Sequence, residues 1–131
     1  MLKIALFALA LVGGTASAQA PKWDLGLDKT ESVLRFAHSL GYPQRVKLCA
    51  KQFPDRATAL KQAEKAWKRA NKDAIAEGRQ ALLDESRLTR RDAIAAVEGN
   101  QQWLLEQWAA KAPGEMSASC QVLLGDMASG T

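Results

Sequence analysis

Between Asp55 and Leu83 the apolar positions Leu60, Ala63, Trp67, Ala70, Ala74 and Leu82 recur every three or four residues. That period predicts one long amphipathic helix with a buried stripe. Lys61, Lys65, Lys68 and Lys72 fall on a narrow arc of the same helix, well away from Trp67. The stretch therefore combines a core-facing aromatic with a cationic stripe.

The same period runs through the rest of the chain. Asp28 followed by Glu31 predicts a capped helix start, and Val33, Phe36, Ala37 and Leu40 form its inner face. Gly41 reads as its stop and Pro43 as the restart of a short second helix with Val46, Cys49, Ala50 and Phe53 inside. Phe53-Pro54-Asp55 is a break, with Asp55 as the N-cap of the long helix. Thr89-Arg90-Arg91-Asp92 predicts another capped start. After it Ile94, Val97, Gln101, Leu104, Leu105 and Trp108 share a face, and the helix is expected to run through Gly99-Asn100 and end at Pro113-Gly114. Ser117 is expected to cap a last helix with Cys120, Leu123, Leu124 and Met127 on one side. No alternating β-branched runs or hairpin dipeptides occur. The expected fold is all-α: a small bundle of two long antiparallel helices with shorter helices at both ends.

The amino terminus has a different character. Met1-Leu2-Lys3 is a short positive region, Ile4–Val12 is an unbroken apolar run, and Ala16-Ser17-Ala18 is a small-x-small cleavage pattern. This is the layout of a secretory signal peptide over residues 1–18, leaving a single helical domain over 19–131 in the periplasm or the medium. The apolar run falls short of the roughly 20 residues that a membrane span needs, and no later segment approaches that length. In an oxidising compartment the two cysteines, Cys49 and Cys120, are expected to pair as a structural disulfide; they lack the Cys-x-x-Cys spacing of a redox site.

Charge adds an asymmetry. The formal net charge of +4 becomes +3 once Lys3 leaves with the signal. From Pro43 to Lys72 nine Lys/Arg stand against two Asp/Glu, a local +7, whereas Asp73 to Thr131 carries five against nine, a local −4. Such a field attracts polyanions to one face. A solvated, energetically quiet lysine face is the alternative reading of the same residues.

Candidate chemistry is sparse. His38 is the single histidine, which excludes a histidine-rich zinc site and leaves any Ser-His-Asp or Cys-His system dependent on that residue. It is expected on the solvated side of its helix. No nucleotide-binding glycine loop, nucleophile elbow or haem-attachment motif is present, and no cofactor is expected. Met116 and Met127, the conceivable partners of His38 on a haem, fit core positions instead. The carboxylates Asp84, Glu85, Glu98 and Glu106 would have to converge for glycoside cleavage, and their spacing does not favour it. Trp103 is expected opposite the Ile94/Val97/Leu104/Trp108 face, among Ala96, Gly99, Gln107 and Ala110. Either it anchors a partner, or another element such as the Trp23 segment covers it.

The stretch Cys49-Ala50-Lys51-Gln52-Phe53-Pro54, with Trp67 and Asn71, resembles small exported proteobacterial proteins that carry a Cys-x-x-x-Phe/Tyr-Pro…Trp-x-x-Arg-Asn pattern and have no assigned activity. The chain departs from that pattern with Ala70 in place of Arg and Arg69 one position early. The resemblance implies an exported helical protein. Together these readings lead to the expectation of a non-enzymatic binding module. Its partner would be a protein or an anionic envelope component, as for an inhibitor, an immunity protein or a stress-related protein; nucleic acid is not expected. Lys61, Lys65, Lys68, Lys72 and Trp103 are the candidate contacts. The alternative is a small peptidoglycan-acting hydrolase.

Overall fold

The structure, a computed structural model, describes residues 30–131. The expected signal peptide, the Trp23 segment and the Asp28 cap lie outside these residues. Helix α1 spans Thr30–Gln52 and is followed by a 3₁₀ turn, Pro54–Arg56. Helix α2 spans Ala57–Ala70, α3 Lys72–Glu85, α4 Arg90–Ala109 and α5 Pro113–Ala128. Among the described residues there is no strand, in keeping with the all-α expectation.

Helix α1 is the axis of the molecule and touches every other helix. Its first half buries Val33, Phe36 and Ala37 against Ala81 and Leu82 of α3 and Ala93 and Val97 of α4. Its second half buries Tyr42, Val46 and Cys49 against Leu60 and Trp67 of α2 and Met116, Cys120, Leu123 and Met127 of α5. Ile75 packs on both clusters. The segment α2–α3 runs back along α1, since Tyr42 meets Trp67 and Ser32 meets Gly78. Helix α5 also opposes α1, with Cys49 bonded to Cys120 and His38 beside Thr131.

Two sequence expectations change here. The first is the stop at Gly41: α1 continues through Gly41 and Pro43 for 23 residues. Pro43 has no N–H and so gives up the bond to the Ser39 carbonyl, which ordinarily disfavours a helix interior. Packing on both sides outweighs that loss. Gly41 is buried, with the Gln101 carboxamide and the Arg45 guanidinium where a side chain would stand, and Tyr42 enters the core. The second is the long helix from Asp55, which breaks at Asn71 (φ −103°, ψ 11°). The Trp67 carbonyl there accepts both the backbone N–H and the side-chain Nδ2 of Asn71, each at 2.9 Å. Beyond the break, α3 brings Gly78 against the Ser32 carbonyl of α1. Ala70, expected inside, is exposed next to it.

Two caps also differ. Asp55 sits within the 3₁₀ turn and makes no cap; Arg56 precedes α2. Helix α5 begins at Pro113, so Ser117 lies inside it. Ser117 accepts two bonds from the Arg56 guanidinium, at its backbone oxygen (3.1 Å) and its hydroxyl (2.9 Å). The Thr89 cap is present, with its hydroxyl accepting from the Asp92 N–H at 3.2 Å. Helix α4 runs unbroken through Gly99-Asn100.

Candidate functional site: a cationic face and groove

Lys61, Lys65 and Lys68 are exposed on α2, and Lys72 is exposed one residue past the Asn71 break, at the start of α3. Among the described residues one ion pair forms, between Lys68 Nζ and Glu64 Oε1 at 3.0 Å, the i,i+4 geometry expected on a helix surface. The stripe continues onto a second helix. Lys47 and Lys51 of α1 are exposed where α1 passes α2, and with Lys61 they border a groove of about 360 Å³. Its floor is apolar: Pro43, Val46, Ala50 and Ala57. Glu64 is the groove's one carboxylate, and the Lys68 bond engages it from outside.

Sequence reasoning placed Lys47 and Lys51 on a helix but missed them as partners of the stripe, because the chain does not say which helix lies beside α2. The usable signal was their four-residue spacing beside the buried Val46/Cys49 pair, which puts both on one edge of α1.

An aromatic stack joins α1 to α2 in the core. The His38 ring lies on Tyr42 with centroids 4.5 Å apart and planes 12° from parallel, and Tyr42 meets Trp67 edge-on at 4.9 Å. The His38 Nδ1 lies 2.9 Å from the backbone oxygen of Thr131. His38 is thus half-buried within a packed cluster, a correction to its expected place on the solvated side. Burial pushes its pKa below the ordinary 6.5; the Thr131 oxygen opposes that shift, and the Arg45 and Arg35 charges reinforce it.

Arg45, 8% exposed, lies over Tyr42 (5.1 Å) and Trp108 (5.6 Å) and donates to Gln101 Oε1 at 2.8 Å. Its cation is held by ring faces and a carboxamide, with burial lowering its pKa. The indole Nε1 of Trp67 is buried with no hydrogen-bond partner among the described residues.

The other expected positions are dispersed. Trp103 is half-buried on α4 and does not border the groove. Glu98 lines a cleft of about 480 Å³ between α1 and α4 with Gln44, Gln101 and Gln102. Asp84 and Glu85 border a separate depression on α3 with Glu77. Glu98 and the Asp84/Glu85 pair thus lie in different clefts. Met116 and Met127 are core side chains. Cys49 and Cys120 are bonded and buried.

Among the described residues no helix is long and apolar enough to cross a membrane, and no group of acidic, histidine or cysteine side chains is arranged to hold a metal ion. Comparisons with protein families, with curated proteins and with solved structures gave no match.

Proposed function

We propose that this chain is an exported helical binding module whose cationic face, made by α1 and α2, takes an anionic component of the cell envelope. The observation that carries this reading is the convergence of Lys47 and Lys51 of α1 with Lys61 of α2 on one groove, continued by Lys65, Lys68 and Lys72. Isolated lysines on a single helix are ordinarily solvated and contribute little. Ammonium groups gathered from two packed helices are held close together by the fold, and an anion that spans them relieves their mutual repulsion and releases counterions. The nearest carboxylate, Glu64, is engaged by Lys68 and leaves the other lysines to a ligand.

Lipopolysaccharide, teichoic acid and an acidic protein face have the required charge. The test changes Lys47, Lys51 and Lys61, the lysines of the groove, to Gln and measures binding to anionic envelope fractions at low and moderate salt. The expected result is salt-sensitive binding by the parent and a loss of at least tenfold in the variant, with an unchanged melting curve because all three side chains are exposed. Binding indifferent to salt, or equal in the two proteins, would reduce the lysines to a solubility feature.

A further inference from the structure

The groove between α1 and α2 has two unlike parts, and each constrains the ligand. Its border carries Lys47, Lys51 and Lys61 with one carboxylate, Glu64, which is paired to Lys68, while its floor is Pro43, Val46, Ala50 and Ala57. A purely polar polyanion satisfies the lysines and leaves the floor wetted. A neutral apolar molecule covers the floor and leaves the ammonium groups without partners. The ligand that uses both is an anion joined to a hydrocarbon chain. The volume, about 360 Å³, lies at the lower end of the roughly 300–1,000 Å³ typical of small-molecule clefts. It therefore fits one chain rather than a folded partner.

We infer that the groove seats a single-chain segment of a phosphate-bearing lipid, with the chain along Pro43, Val46, Ala50 and Ala57 and the phosphate between Lys47, Lys51 and Lys61. The inference rests on the cationic-face reading and adds the ligand class. Pro43 has a part in it. Proline and the small Ala50 and Ala57 leave the space that larger side chains at those positions would fill. The lysine stems add methylene groups to the groove wall while their charged ends stay in water. The two lysines of α1 stand one turn apart, so the phosphate meets them as a pair.

The test is a calorimetric series of n-alkyl monophosphates from butyl to decyl, each below its critical micelle concentration, with inorganic polyphosphate as the chain-free polyanion. Affinity is expected to rise about two- to fourfold per methylene until the floor is covered, and then to level off. Ala57→Phe, which fills the floor, should flatten that rise and leave polyphosphate binding intact. If Ala57→Phe does not fold, Lys47→Gln with Lys51→Gln on the exposed edge serves instead: it should lower the affinity for every chain length by one common factor. Affinity independent of chain length, with salt-sensitive polyphosphate binding retained, overturns the lipid inference and leaves the cationic-face reading standing. Failure of polyphosphate and alkyl phosphates alike overturns both.

Discussion

Gly78 and Gly99 are both mid-helix glycines, and their surroundings differ. A Cβ at Gly78 would overlap the carbonyl oxygen of Ser32, a backbone atom of α1 that cannot turn aside. At Gly99 nothing lies within 4 Å. Gly78→Ala is therefore expected to push α3 off α1 and destabilise the protein, whereas Gly99→Ala should stabilise it by up to about 1 kcal/mol through helix propensity. Urea midpoints of the two variants decide this, and a neutral Gly78→Ala would contradict the close crossing. His38 gives a second expectation at this scale. Its folded pKa lies below the ordinary 6.5, so the unfolded chain takes up the proton first. The stability that His38 contributes is complete above that value and is lost as pH falls from 6.5 through the lower folded pKa. His38→Gln should remove this component of the acid sensitivity. Identical pH profiles of midpoint for parent and variant would show that the ring is not desolvated in the stack.

The helices show how much of the fold the sequence discloses. The period of the core positions was sufficient for α4, for the Thr89 cap and for the inner face of α5, because each rests on local spacing or a local hydrogen bond. It failed where tertiary contacts override a local signal. Gly41 and Pro43 are ordinary stop signals, but α1 is held on both sides of them by Phe36, Ala37, Tyr42 and Val46. The Asn71 break gave no glycine or proline warning; it depends on α3 finding Ser32 of a helix far away in sequence. The candidate site inherited the same blindness. Its α2 half was legible as a lysine period, while Lys47 and Lys51 became part of it only through the packing of their helix beside α2. Pro43→Ala tests the account of α1. The N–H it restores can bond to Ser39, and helix propensity improves, offset in part by a more flexible unfolded chain. The expected gain is about 2 kcal/mol, read as a higher urea midpoint with unchanged helical circular dichroism. A lower midpoint would mean that the ring's packing beside Val46 outweighs the lost bond.

At the scale of the whole molecule, the two clusters depend on different constraints. The front cluster of Val33, Phe36, Leu82 and Val97 is held by the crossing of α1, α3 and α4. The back cluster contains the one covalent tie, Cys49 to Cys120, across a sequence separation of 71. That bridge joins the end of α1 to α5, so the open chain loses the freedom of nearly everything between them. In the chain-entropy account a loop of this length is worth about 4 kcal/mol, a large share of the net stability of a small domain. The groove and its lysines lie on the same end of α1, between Pro43 and Lys51, and depend on that end being fixed. Cys49→Ala with Cys120→Ala is therefore expected to lower the unfolding free energy by about 4 kcal/mol and to weaken binding at the cationic face when measured near the variant's midpoint. Denaturation of the parent with and without reductant should show a similar difference, since both comparisons release the same loop. A large loss on substitution with none on reduction would instead assign the effect to the packing of the two side chains in the core, where both are almost fully buried. The bridge would then hold the back cluster by filling it, and the cationic groove would owe its shape to that filled core more than to the shortened loop.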